Sequence, residues 1–141
     1  MITLEDYWGT HDEVPSAETE MAARELLLRV NALLAACGFK TSIVSGWRPP
    51  LYNAELRRQW IASGGKKGAN TAVNSRHMTG MAVDLRDNAN QQIAKYLNAD
   101  QHKLITHQLW MENPADTRGR NTNWCHLQTV PPKSSNRVFR P

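Results

Sequence analysis

The segment Ser75-Arg76-His77-Met78-Thr79-Gly80-Met81-Ala82-Val83-Asp84-Leu85 sets an imidazole and a carboxylate seven residues apart with a glycine between them. Its second half, Met81 to Leu85, reads as a short strand, and side chains along a strand alternate between two faces. Met81, Val83 and Leu85 then point one way, and Ala82 and Asp84 the other. Gly80 allows a tight reversal just before the strand. A turn followed by a strand brings His77 and Asp84 together, and the small Ala82 leaves room beside them for an ion. A structural His–Asp hydrogen bond has the same pattern, so the pair alone leaves both a metal site and a packing contact open.

The rest of the chain reads as an α+β alternation without internal repeats. Pro15 to Gly38 carries the strongest helix signal: Ser16 as N-cap, Glu18 and Glu20 in the first turn, and Gly38 at the stop. Leu26, Val30, Leu33 and Cys37 fall on one face and form its core stripe. Phe39 to Trp47 is expected to be a strand and Leu51 to Ala62 a helix. A further helix is expected over Asn88–Asn98 and a final strand over Asn123–Val130. Lys103 to Met111 fits helix and strand equally. Pro131 to Pro141, with three prolines, is expected to be an irregular surface segment. The fold expected is a small antiparallel sheet with helices packed around it, as a single domain over residues 1–141.

A chain of 141 residues can bury roughly two-thirds of its unfolded surface, enough for a core without staples. Its two cysteines, Cys37 and Cys125, cannot form a disulfide framework and are read as small buried thiols. The opening MITLEDYWGTHDEVP lacks the basic and then apolar pattern of a secretory leader, and no apolar run approaches the ~20 residues that span a bilayer. Synthesis as a soluble cytosolic protein is expected. The net charge of +4 suits a polyanionic partner such as nucleic acid, a membrane surface or an anionic cell wall. The Ser63–Asn70 stretch SGGKKGAN lacks the order of a phosphate-binding P-loop and is read as a solvated loop.

Catalytic zinc usually has three protein ligands and one open position. NWCHLQ offers the third: in an extended strand Trp124, His126 and Gln128 share a face, while Cys125 and Leu127 turn into the core. His11, His102 and His107 sit in less distinctive surroundings and are read as surface or packing histidines.

SRHMTGMAVDL followed by WCHLQ resembles the zinc D-alanyl-D-alanine carboxypeptidase and L-alanyl-D-glutamate endopeptidase family of peptidoglycan hydrolases. Ser75, His77, Gly80, Ala82 and Asp84 match every fixed position of that family's SxHxxGxAxD motif. SGWRPPLYN, at Ser45 to Asn53, is similar to the family's SGYRSPEYN block. The resemblance runs from about Val30 to Gln128 and is nearest the short, phage- or prophage-borne branch. It implies amide hydrolysis at a zinc ion held by His77, Asp84 and His126, with Arg48 polarising the substrate carbonyl and Ser75 either binding substrate or capping the turn before His77. The partner it implies is a peptidoglycan stem peptide or cross-link, met by a monomer without nucleic acid or membrane insertion. The wall is then the place of action, reached from the cytoplasm as part of a lysis system or a virion.

The chain departs from the family at the general base. Relatives carry an acid three residues, or a histidine five residues, before the last zinc histidine; those positions are Asn123 and Asn121 here, and an amide accepts no proton. Glu112 is the first alternative carboxylate and Asp116 the second. Two other readings stay open: a zinc-binding, catalytically weak wall-recognition module, and a basic nucleic-acid-binding domain.

Overall fold

The computed structural model describes residues 1–64 and 73–141. The capped, periodic stretch forms the longest helix. After a short α1 (Leu4–Trp8), α2 spans Ala17–Cys37; Ser16 accepts the Thr19 N–H at its start, and Gly38 ends it in the left-handed region at φ 71°. Its Ala23, Leu26, Leu27, Val30, Leu33 and Leu34 are buried. Each large aliphatic among them contributes roughly 1.5–3 kcal/mol by leaving water.

Among the described residues five strands form one sheet: β1 (Ile43–Ser45), β2 (Ala82–Asp87), β3 (Trp110–Glu112), β4 (Asn123–Gln128) and β5 (Val138–Phe139). Their spatial order is β1-β2-β4-β3-β5. The connecting helices are α3 (Pro50–Ala62), α4 (Gln92–Ala99) and α5 (His102–Thr106), with 3₁₀ turns at Arg76–Thr79 and Pro114–Asp116. The fold is α+β, as expected, but the sheet is mixed: three pairings are antiparallel and β3–β5 is parallel.

The parallel pair corrects the reading of the tail. Pro131–Pro141 is not wholly irregular, because Val138 and Phe139 pair with Met111 and Glu112, and Phe139 is buried. The Lys103–Met111 ambiguity resolves by division into α5 and then β3. The expected strand over Phe39–Trp47 shortens to three residues and carries an irregularity in its pairing with β2. The Ser63–Asn70 loop falls largely on residues 65–72, outside the described residues.

The sheet has two unlike faces. Val83, Leu85, Met111, Cys125 and Leu127 join the core with residues of α2, α4 and α1. Cys125 is buried as expected, whereas Cys37 is only half-buried. Gly80 fastens the turn before β2 to α2: its φ is 76°, and a Cβ there would lie 2.3 Å from the Thr19 carbonyl oxygen.

Candidate metal centre

The opposite face of the sheet carries one transverse row with a residue from every strand. Ser45 of β1 pairs with Asp84 of β2, and Asp84 pairs with His126 of β4. The β3–β4 register sets Trp110 against Gln128 and Met111 against Leu127; continued by one residue, it sets Glu112 opposite His126. Glu112 in turn pairs with Phe139 of β5. All five side chains line one cavity of about 370 Å³, with Val44, Arg48, Ser75, His77, Trp124 and Gln128 among the others around it. The alternation along β4 is the expected one, with Trp124, His126 and Gln128 on the cavity side and Cys125 and Leu127 in the core.

His77 enters from the 3₁₀ turn preceding β2. Ser75 caps that turn by accepting the His77 backbone N–H at 3.3 Å, and its residue also lines the cavity, so capping does not preclude contact with a ligand. The imidazole of His77 is fixed from behind: Nδ1 donates to the Gly46 carbonyl at 2.7 Å, because a carbonyl can only accept. Nε2 is left facing Asp84 Oδ2 at 3.4 Å. On the other side, His126 Nδ1 lies 2.7 Å from Asp84 Oδ1, and its Nε2 lies 3.2 Å from Gln128 Oε1.

The electrostatics follow from burial. Burial pushes the His77 imidazole below the usual histidine range, against the pull of Asp84. Burial alone would raise the Asp84 carboxyl, but the imidazoles of His77 and His126 outweigh it and hold it well below the usual carboxylate range. His126 is also desolvated, yet its hydrogen bond to Asp84 and the nearby carboxylates of Asp84 and Glu112 shift it upward. A neutral His77 therefore turns a nitrogen lone pair towards a carboxylate oxygen, and that electron-rich gap suits a cation.

His77, Asp84 and His126 could hold a metal ion: one ligand atom from each lies within 4.8 Å of the others. Two imidazoles and one carboxylate are a donor set typical of transition-metal sites, and both rings have an outer partner of the kind that orients ligating histidines. The residues present fit the group that the motif resemblance implies.

Arg48 sits at the cavity wall, donating from Nε to Ser45 Oγ at 2.8 Å and from Nη2 to Asp84 Oδ2 at 3.1 Å. It is thus no loop arginine paired with a surface acid, since its carboxylate is the buried centre of the cluster. Glu112 is buried, and among the described residues its Oε1 has no hydrogen-bond partner. Burial pushes its carboxyl up to about 7, His126 opposing and Asp84 and Asp116 adding to the shift. Asp116 lies outside the cavity lining, 3.8 Å from Arg140. Asn123 turns away as well, its amide donating to the Asn88 and Ala89 carbonyls at 3.1 and 3.2 Å, and Asn121 is exposed. His11 packs on Tyr52 and Trp47; His102 is the first residue of α5 and His107 its C-cap, away from the cavity.

Ser45, Gly46 and Phe139 were not singled out from sequence as site residues. Ser45 could have been found from its place in a β-rich run beside Arg48. Gly46 acts through its carbonyl, which no residue type announces, and Phe139 depends on a long-range parallel pairing. Comparisons with protein-family models, with curated proteins and with solved structures gave no match.

Proposed function

We propose that the chain is a zinc-dependent hydrolase that cleaves peptide bonds of bacterial peptidoglycan in cell-wall lysis or remodelling, of the phage- or prophage-borne kind. The observation that carries this reading is the meeting of His77, Asp84 and His126 in one cavity with Glu112 beside them in the same cross-sheet row. An N₂O donor set with space left beside it matches catalytic rather than structural zinc, which is normally closed by four protein ligands. When bound, zinc supplies Lewis acidity that acidifies water and polarises a carbonyl.

The chain's own groups supply the remainder. Glu112 accepts a proton from the attacking water; a carboxyl raised to about 7 has a pKa close to neutral pH, where general bases work best. Its Oε1, without a partner among the described residues, can accept from a group inside the cavity. Arg48, always charged and held by Ser45 and Asp84, stands beside the centre as a donor for the negative charge that forms on a carbonyl oxygen. Ser75 lies at the rim as a hydrogen-bonding group for a peptide, and Trp124 and Phe139 form apolar wall.

Zinc content and muropeptide turnover, measured on the same protein with and without a chelator, test the proposal. Stoichiometric zinc with chelator-sensitive cleavage supports it. Stoichiometric zinc without turnover returns the chain to a wall-recognition module, and a lack of zinc removes both readings.

A further inference from the structure

We propose that Gln128 is a positioning residue that determines which ring nitrogen of His126 is offered to a metal ion, an inference that rests on the metal-centre reading above. Gln128 is buried and lies two residues beyond His126 on the same face of β4. Its Nε2 donates to the Val130 carbonyl at 2.5 Å. A carbonyl cannot donate, so flipping the amide would set two oxygens against each other. Oε1 is therefore the atom that faces His126 Nε2 at 3.2 Å. It too can only accept, and the hydrogen bond forms when Nε2 carries the hydrogen.

That constraint opposes the preference of the carboxylate on the ring's other side. Asp84 Oδ1, 2.7 Å from Nδ1, would draw a neutral imidazole into the tautomer with hydrogen on Nδ1. The Nε2 lone pair would then meet the lone pairs of Gln128 Oε1 in a buried site, where a polar group left without a partner carries its full desolvation penalty. Without a cation the two acceptors, Asp84 Oδ1 and Gln128 Oε1, are both met only by a ring carrying both hydrogens; when a cation shared with Asp84 takes the place of the Nδ1 hydrogen, Gln128 holds the remaining one on Nε2. His77 is locked in the complementary sense, Nδ1 hydrogen-bonded to the Gly46 carbonyl and Nε2 turned inward. One lock is backbone and cannot be altered by substitution. The other is the Gln128 side chain.

The test is zinc titration against a competing chelator for wild type, Gln128→Leu and Gln128→Glu, joined with nitrogen-15 NMR of the His126 ring. Gln128→Leu removes the acceptor and is expected to weaken zinc binding by roughly 10–100-fold, as loss of an outer partner of a metal ligand does. Gln128→Glu retains an acceptor at that point, its second oxygen meeting the Val130 carbonyl as a protonated carboxyl in place of the amide N–H, and is expected to bind within about tenfold of wild type. A loss under about tenfold in Gln128→Leu, or an equal loss in both variants, overturns the proposal. The metal-free protein at mildly acidic pH, where the ring carries both hydrogens, separates this result from failure of the zinc reading. An Nε2–H signal protected from exchange in wild type and lost in Gln128→Leu upholds the contact even if zinc does not bind. No protected signal in wild type, or equal protection in both proteins, overturns it.

Discussion

Asp84 and His126 are direct partners across the antiparallel β2–β4 pair, and their side chains meet at 2.7 Å between Oδ1 and Nδ1. Residues opposed on one face of such a pair have Cβ atoms only about 4.5–5.5 Å apart, so the sheet register sets this half of the centre. His77 completes it from a turn fastened separately, through Gly46 and Gly80. Replacing His77, Asp84 or His126 by Ala is expected to weaken zinc binding and abolish hydrolysis, because two ligands remain where catalytic zinc uses three. Metal analysis after dialysis checks this; near-stoichiometric zinc in all three variants would remove the ligand assignment.

Glu112→Gln keeps shape and removes the proton acceptor, and activity is expected to fall by roughly 10²–10⁴-fold with zinc content unchanged. Asp116→Asn serves as the control, since Asp116 lies outside the cavity. It is expected to stay near the wild-type rate. Full activity in Glu112→Gln would mean that the base is another group.

The same carboxyl makes metal-free stability depend on pH. Glu112 titrates at about 7 in the folded protein against an ordinary value of 4.5, so the folded state binds its proton more tightly than the unfolded chain does. Its contribution is fully present below about 4.5 and is lost as pH rises through about 7. Relative to metal-free Glu112→Gln, wild type is expected to lose on the order of 3 kcal/mol across that window. Denaturant midpoints of both proteins measure this difference, which includes the coupling of the Glu112 carboxylate to His126. A constant difference between the two would contradict the shift.

Arg48→Lys retains a positive charge but cannot reach Ser45 and Asp84 with one rigid fork. Zinc is expected to remain while turnover drops by on the order of a hundredfold, the size seen when one oxyanion donor is lost. An unchanged rate would leave Arg48 as a structural partner of Asp84.

Gly80→Ala would place a Cβ 2.3 Å from the Thr19 carbonyl oxygen at a φ of 76°. The left-handed backbone alone costs a side chain roughly 1–2 kcal/mol, and the overlap with helix backbone adds to it. Thermal unfolding of the metal-free protein is expected to shift down by several degrees, about 4 or more for a domain of this size; an unchanged midpoint would mean that the turn is free to move off α2.

Local signals made the helix caps and strand alternation readable from sequence. Ser16 and Gly38 bounded α2 because capping is a short-range interaction, and the facing of His126 followed from a period of two. Long-range pairing was not readable. The parallel β3–β5 contact that brings Phe139 beside Glu112 joins strands of three and two residues, too short to show an alternation, and the prolines and low apolar content of the tail point away from a strand. Glu112 was reached by elimination among nearby carboxylates, whereas its place in the cavity comes from the register of β3 on β4. The acceptors behind the two imidazoles, Gly46 and Gln128, emerge only once the chain is folded.

Mass spectrometry of purified sacculi after incubation with the zinc-loaded protein tests the central claim most directly. Peptide-bond cleavage predicts new amino and carboxyl termini at one type of stem-peptide or cross-link bond, absent with chelator and absent with His126→Ala. Sacculi that release no new termini while the protein holds stoichiometric zinc would contradict the assignment of a peptidoglycan hydrolase.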